Sequence, residues 1–171
     1  RMTKKQIIRA FRALDIELQK KNLHGEVCVV GGAVMCLAFN SRQSTQDVDA
    51  IFEPSIAIQK AAFNVSQKLK INNFWWLNDA AKGFVSDFAE YNKVDLGMKN
   101  LIVRLASAEY MLAMKVLAAR AGTNDEVDVL FLIKTLKLKT SNQVKKVVNK
   151  YYPKQKLTIE SKALIKKIFD E

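Results

Sequence analysis

The sequence predicts an α/β (α+β) chain: a small sheet core with helices over residues 1–106, followed by a basic helical region over residues 107–171. Two observations carry this expectation. Between residues 26 and 69, short apolar runs rich in Val, Ile and Phe alternate with segments of helical period. That β-α-β-α order belongs to a sheet whose strands are fed through helices. From Ser107 onward strand-type runs cease, and helix starts marked by Ser or Thr follow one another.

Taken in order, Ile7, Ile8, Phe11, Leu14 and Leu18 have the spacing of one apolar helix face, which predicts a helix over residues 3–21. The stretch 22–25 ends it, and residues 26–30 read as a short buried strand. Gly31-Gly32 breaks that run, and helix-forming residues follow at 33–39. Residues 47–52 form a second strand-type run, closed by Glu53-Pro54. Ile56, Ile58, Ala62, Phe63, Val65 and Leu69 predict a helix over 55–69. Residues 72–100 lack clear periodicity; short strands are expected at 84–88, 93–96 and 101–105, the last the clearest. Ser107 caps a helix over 108–121 with Gly122 as its stop. Thr123 and Glu126 have capping-box spacing and open a helix to about residue 136. Thr140 and Gln143 repeat the device, Pro153 breaks the chain, and Thr158 caps a last helix ending near Phe169.

Composition narrows the chemistry. The net charge is +11, and the last 38 residues hold eleven Lys, no Arg and three acids, hence eight of the excess charges. A basic region of this kind suits a polyanionic partner, nucleic acid first, with no sequence preference implied. Cys28 and Cys36 lie in apolar runs, where buried small hydrophobes are expected rather than a redox pair, and no Cys/His cluster has zinc spacing. His24, the only histidine, precedes Gly25 in a predicted surface turn, so schemes built on a His base lack support. The apolar run 27–39 is too short and too Gly-broken to span a membrane, so no membrane partner is expected. The N-terminal segment reads as a charged amphipathic helix rather than a secretory signal, and a cytoplasmic location is expected.

One stretch, VVGGAVMCLAFNSRQSTQDVDAIF, holds the candidate chemistry. On a strand, Asp47 and Asp49 share a face about 7 Å apart, while Val48, Ala50 and Phe52 take the other. Two carboxylates on one face raise each other's pKa unless a cation lies between them. A hard divalent ion suits them, since Mg²⁺ is usually held by one or two carboxylates plus substrate phosphates. On the triplet alone, solvation at a strand end or pairing with Arg42 is the favoured account of the acids, because such triplets are common. Gly31-Gly32 lies between a strand and a helix, where glycines permit a tight turn and close approach of a phosphate; a plain turn is the other reading. The spacing is neither that of a P-loop nor that of the dinucleotide fingerprint.

Gly31-Gly32 followed by R-x-S-T-x-D-x-D (Arg42, Ser44, Thr45, Asp47, Asp49) resembles the DNA polymerase β-like nucleotidyltransferase superfamily. More narrowly, it resembles the bacterial nucleotidyltransferase-like proteins grouped with abortive-infection and type IV toxin–antitoxin systems. The stretch SAEYMLAMKVLAARAGTNDEVDVLFLIKTL is similar to that group, and so is FWWLNDAAKGF; the resemblance touches most of residues 26–152. It implies a nucleotidyltransferase core and roles for named residues. Gly31, Gly32, Arg42, Ser44 and Thr45 would bind the nucleotide, and Asp47 and Asp49 would bind Mg²⁺ or Mn²⁺. A third carboxylate is usual on a later strand, with Asp95 the first candidate and Asp87 and Glu109 the others. Lys115, in the apolar run MLAMKVLAA, is a candidate catalytic amine. Arg120 lies about 140° from it around a helix, so the two cannot point the same way. Asp125 and Asp128 are candidate partners for these bases. Phe74, Trp75 and Trp76 can stack a base or fill the core.

The function this implies is metal-dependent transfer of an NMP from an NTP to a macromolecular acceptor, RNA or tRNA in particular, with a protein hydroxyl the other option. A toxin–antitoxin or phage-defence role with a partner protein follows from the same resemblance. The alternative is a non-catalytic module of the same fold that binds nucleic acid or a partner protein. A third carboxylate near Asp47 and Asp49 separates the two. A plain DNA-binding helical protein leaves the glycines and aspartates unexplained.

Overall fold

The computed structural model describes residues 1–119 and 123–170, and Arg120 and Gly122 lie outside them. The chain forms two compact units. The first comprises Arg1–Phe84 and Tyr91–Leu105, the second Val85–Glu90 and Ala106–Glu171.

The first unit opens with β1 (Met2–Thr3) and α1 (Lys4–Lys20), whose start carries a full capping box between Thr3 and Gln6. Then follow β2 (Gly25–Val30), α2 (Gly32–Leu37), β3 (Ser44–Thr45), β4 (Val48–Glu53) and α3 (Ser55–Lys68). β5 (Leu77–Asn78), a 3-10 turn at Ala80–Phe84, β6 (Tyr91–Val94) and β7 (Leu101–Ala106) complete the strands. The main sheet is mixed, in the order β5-β4-β2-β7-β6. β2 runs antiparallel to β4 and parallel to β7, and β4 runs parallel to β5. β1 and β3 form a separate antiparallel pair, Met2 opposite Thr45.

The apolar face read on α1 is the buried one: Ile7, Phe11, Leu14 and Leu18 are fully enclosed, as are Ile58 and Val65 of α3. They share the core with Val27 and Val29 of β2 and Val48 and Ala50 of β4. Trp76 closes this core; it is fully buried, meets Phe11 edge-on at 6.0 Å, and its indole N–H donates to the Ala62 carbonyl at 2.9 Å. The Cys28 thiol is pushed up to about 11, chiefly by burial, so it is not a reactive thiolate, and Cys36 is buried. His24 is exposed.

A polar anchor ties α1 to the start of β7. Asp15 is buried, and its carboxylate accepts the backbone N–H groups of Lys99 (3.2 Å), Asn100 (2.6 Å) and Leu101 (2.9 Å). Asp15→Ala is therefore expected to cost about 3 kcal/mol, because charge-assisted bonds are lost and buried donors are left unpaired. Urea unfolding checks this, and a loss under about 1 kcal/mol would contradict it.

Three expectations are corrected. Residues 84–88 are not a strand: a 3-10 turn ends at Phe84, and the buried Ser86 hydroxyl donates to the Tyr151 carbonyl. The strand expected at 93–96 runs Tyr91–Val94, stopped where the Asp95 side chain accepts the Gly97 N–H and Gly97 takes φ +70°. The strand expected at 47–52 runs Val48–Glu53, leaving Asp47 just before it.

In the second unit, α5 (Asn124–Thr135), α6 (Ser141–Tyr151) and α7 (Ile159–Ile168) all contact α4 (Ala108–Ala118). α4 is buried on nearly every side from Tyr110 to Leu117, as a central helix must be. Ser107, Thr140 and Thr158 cap their helices by accepting the N–H groups of Tyr110, Gln143 and Ser161. Thr123 caps α5 through Asp125, and Glu126 pairs instead with Lys167 at 2.7 Å. All eleven lysines from Lys134 onward are exposed.

Candidate active site

The β2–α2 turn is the floor of the site. Gly31 adopts φ +73°, a region that L side chains avoid, and this bends the chain sharply between strand and helix. A Cβ placed on Gly31 would lie 3.1 Å from Asp49 Oδ2. One placed on Gly32 would lie 2.7 Å from Arg42 Nη1 and 3.1 Å from Thr45 Oγ1. The missing side chains thus let the turn press against Asp49, Arg42 and Thr45 at once.

The antiparallel register produces this contact, since Val30, the last residue of β2, pairs with Asp49 of β4. Thr45 links the turn to the second acid by donating its hydroxyl to the Asp47 carbonyl at 3.2 Å. Asp47 and Asp49 flank the fully buried Val48 and are each half-buried, so alternation turns both carboxylates away from the core. Ser44 lies beside Thr45 on β3, opposite Thr3.

Asn78 joins them. On β5 it stands in register with Asp49, and its amide donates to Asp47 Oδ2 at 3.4 Å. Sequence reasoning missed this residue, because a two-residue strand has no period to read. Burial holds the Asp47 carboxyl above the usual aspartate range, and the Asn78 hydrogen bond opposes that shift. A partly desolvated carboxylate with a second one two residues on is an arrangement that a cation relieves.

Asp95 is exposed beyond β6, and β2 and β7 stand between β6 and β4 in the sheet. Asp87 and Glu109 belong to the second unit, where Glu109 pairs with Lys150 at 3.0 Å. Among the described residues no three His, Cys, Asp or Glu gather into a metal-holding group. Among the described residues of the first unit, the donors at this place are two carboxylates and one amide. That set fits Mg²⁺, which takes its remaining ligands from phosphate and water; it does not fit an ion that needs a full protein cage.

Lys115 belongs to the second unit. It is buried, with its ammonium 3.1 Å from Asp125 Oδ1 and 3.0 Å from Asp128 Oδ2. The aromatic run divides: Trp76 is core, whereas Phe74 and Trp75 are exposed.

Gly31→Ala is expected to cost about 1–2 kcal/mol, because alanine at this φ is strained. It should also displace the Asp49 carboxylate. Thermal unfolding together with nucleotide affinity checks this; unchanged values for both would show that the turn is not constrained.

No curated protein and no solved structure matches the chain. Residues 5–166 match a protein family described as a nucleotidyltransferase of unknown function, DUF6036. That match covers both units, from α1 to α7. The chain belongs to this nucleotidyltransferase family.

Proposed function

We propose that the protein transfers an NMP from an NTP to a macromolecular acceptor with the help of Mg²⁺ or Mn²⁺. The observation that carries this reading is the contact of the Gly31-Gly32 turn with Asp49, Arg42 and Thr45. A phosphate chain laid on that turn lies against a guanidinium and a hydroxyl on one side and a carboxylate pair on the other. Gly31 and Gly32 give the phosphates access, and Arg42, with Ser44 and Thr45, offsets and orients their charge. Asp47 and Asp49 would hold the divalent ion, which would supply charge neutralisation at the triphosphate. Asn78 keeps the Asp47 carboxylate in place. The acceptor hydroxyl oxygen attacks the α-phosphorus in line, pyrophosphate leaves, and the hydroxyl proton is released.

RNA, tRNA in particular, is the first acceptor candidate, supported by the exposed lysines of α6, α7 and their flanks. A protein hydroxyl is the second. The family likeness in the Gly-Gly and Asp-x-Asp pattern also supports a toxin–antitoxin or phage-defence role with a partner protein, in the cytoplasm. A second reading, a nucleotide-fold module without turnover, rests on Asn78: an amide, not a third acid, stands in register with Asp49.

The test is incubation with each α-³²P-labelled NTP, Mg²⁺ or Mn²⁺, and total RNA or lysate. Metal-dependent labelling of a macromolecule is expected. Nucleotide binding with no labelled product under any NTP would favour the second reading.

A further inference from the structure

The α3–β5 loop leaves an aromatic surface uncovered, ahead of β5 and its Asn78. Phe74 and Trp75 are 52% and 67% exposed, and Phe63 of α3 is 47% exposed with its ring 5.5 Å from that of Phe74. These rings border a depression of about 500 Å³. Lys21 and Lys60 supply its charge and Gln59 and Asn64 its amides, with no acid in the lining.

Two local features anchor this surface. Trp75 N–H donates to Asn73 Oδ1 at 2.9 Å, and the next residue is the buried Trp76. It is also wired to the candidate site. The Trp75 carbonyl accepts from the Asn78 amide at 3.4 Å, and that same amide reaches Asp47. The other side of the loop, at Lys70, borders a second depression with Arg9 and Gln46, the residue before Asp47.

We infer that this loop is a platform for a single-stranded segment of the acceptor RNA, with bases stacked on Trp75 and Phe74 and phosphates at Lys21 and Lys60. The inference rests on the nucleotidyltransferase reading for its purpose, not for its test. Exposed aromatic faces bordered by cations are how proteins take single strands without reading sequence. A duplex hides its base faces and cannot stack there. A protein partner would use the same rings, yet protein interfaces are depleted in Lys at their centres, and here two lysines line the depression.

The experiment is fluorescence polarisation of a labelled single-stranded RNA twelve-mer with the full chain, without NTP or metal. The double variant Phe74→Ala/Trp75→Ala is expected to bind at least roughly tenfold more weakly. Trp75→Phe keeps a ring and is expected to retain most of the affinity. Lys21→Gln/Lys60→Gln should reduce the slope of log K against log salt by about 1.4, because two phosphates of a single strand are no longer neutralised. RNA should also quench the tryptophan emission of the wild type far more than that of Trp75→Phe, since the remaining Trp76 is buried.

Equal RNA affinity in the wild type and the double alanine variant overturns the inference. So does equal binding of duplex and single strand by the wild type, or capture of a polypeptide through these rings by a protein that binds no RNA. Ring-dependent RNA binding by a protein that transfers no label would sink the enzymatic reading and leave the platform standing.

Discussion

Replacing Asp49 or Asp47 by Ala is expected to reduce metal-dependent label transfer from α-³²P-NTP by roughly 10³-fold or more, while the fold survives. The magnitude follows from the several kcal/mol that metal-held charge stabilisation supplies, at about 1.4 kcal/mol per tenfold. The fold survives because both acids are half-buried and turned away from the core around Val48. Asp47 has a further signature. Its folded-state pKa is raised, chiefly by burial, so its charge opposes folding at pH above that value, and the penalty fades as pH falls below the unfolded aspartate pKa of about 3.9. Asp47→Asn, measured without metal, should therefore leave the thermal midpoint unchanged or raise it at pH 7, with the difference shrinking toward pH 3. Activity and stability then move in opposite directions, as expected where function holds a charge in an unfavourable place. A fall in midpoint matching the loss of transfer would show instead that the acids act structurally.

Lys115→Met should do the reverse, lowering stability far more than chemistry. The ammonium lies 3.1 Å and 3.0 Å from carboxylate oxygens of Asp125 and Asp128, and Asp128 is only 2% exposed. Removing the cation leaves that charge enclosed, and breaking a buried pair in this way costs about 3–5 kcal/mol. Asp125 is partly supported by Thr123 and by its place in the first turn of α5, so Asp128 carries most of the penalty. Lys115→Met/Asp128→Asn should recover part of the loss, because the uncompensated charge goes with its partner. Thermal unfolding of the single and double variants checks this. A Lys115→Met protein of unchanged midpoint that cannot transfer label would place the amine in the chemistry after all.

The parts of this molecule that were legible in sequence are those whose signal is local. α1 shows its buried face through Ile7, Phe11, Leu14 and Leu18, and the capping residues Thr140 and Thr158 mark real helix starts. The strand, turn and helix around Gly31-Gly32 were readable because three composition changes fall within a dozen residues. β5 was not, since two residues become a strand only by pairing with Val48 and Asp49 across the sheet. Residues 84–88 misled because their aromatic and apolar content suits a strand, whereas Ser86 is fixed by Tyr110 and Tyr151, residues far along the chain. The same distance in sequence hid Asn78. Its meeting with Asp47 is a product of sheet order, and a search for carboxylates passes over an amide.

The central claim is that the Gly31-Gly32 turn and the Asp47–Asp49 pair hold a metal-bound nucleoside triphosphate together. Calorimetric titration with a non-hydrolysable NTP, with and without Mg²⁺, tests it most directly on the wild type and on Asp47→Asn and Asp49→Asn. Mg²⁺ is expected to tighten binding by roughly tenfold or more in the wild type, about 1.4 kcal/mol, and either substitution to abolish the increment. Nucleotide affinity indifferent to Mg²⁺, or an increment that persists in either variant, would contradict it.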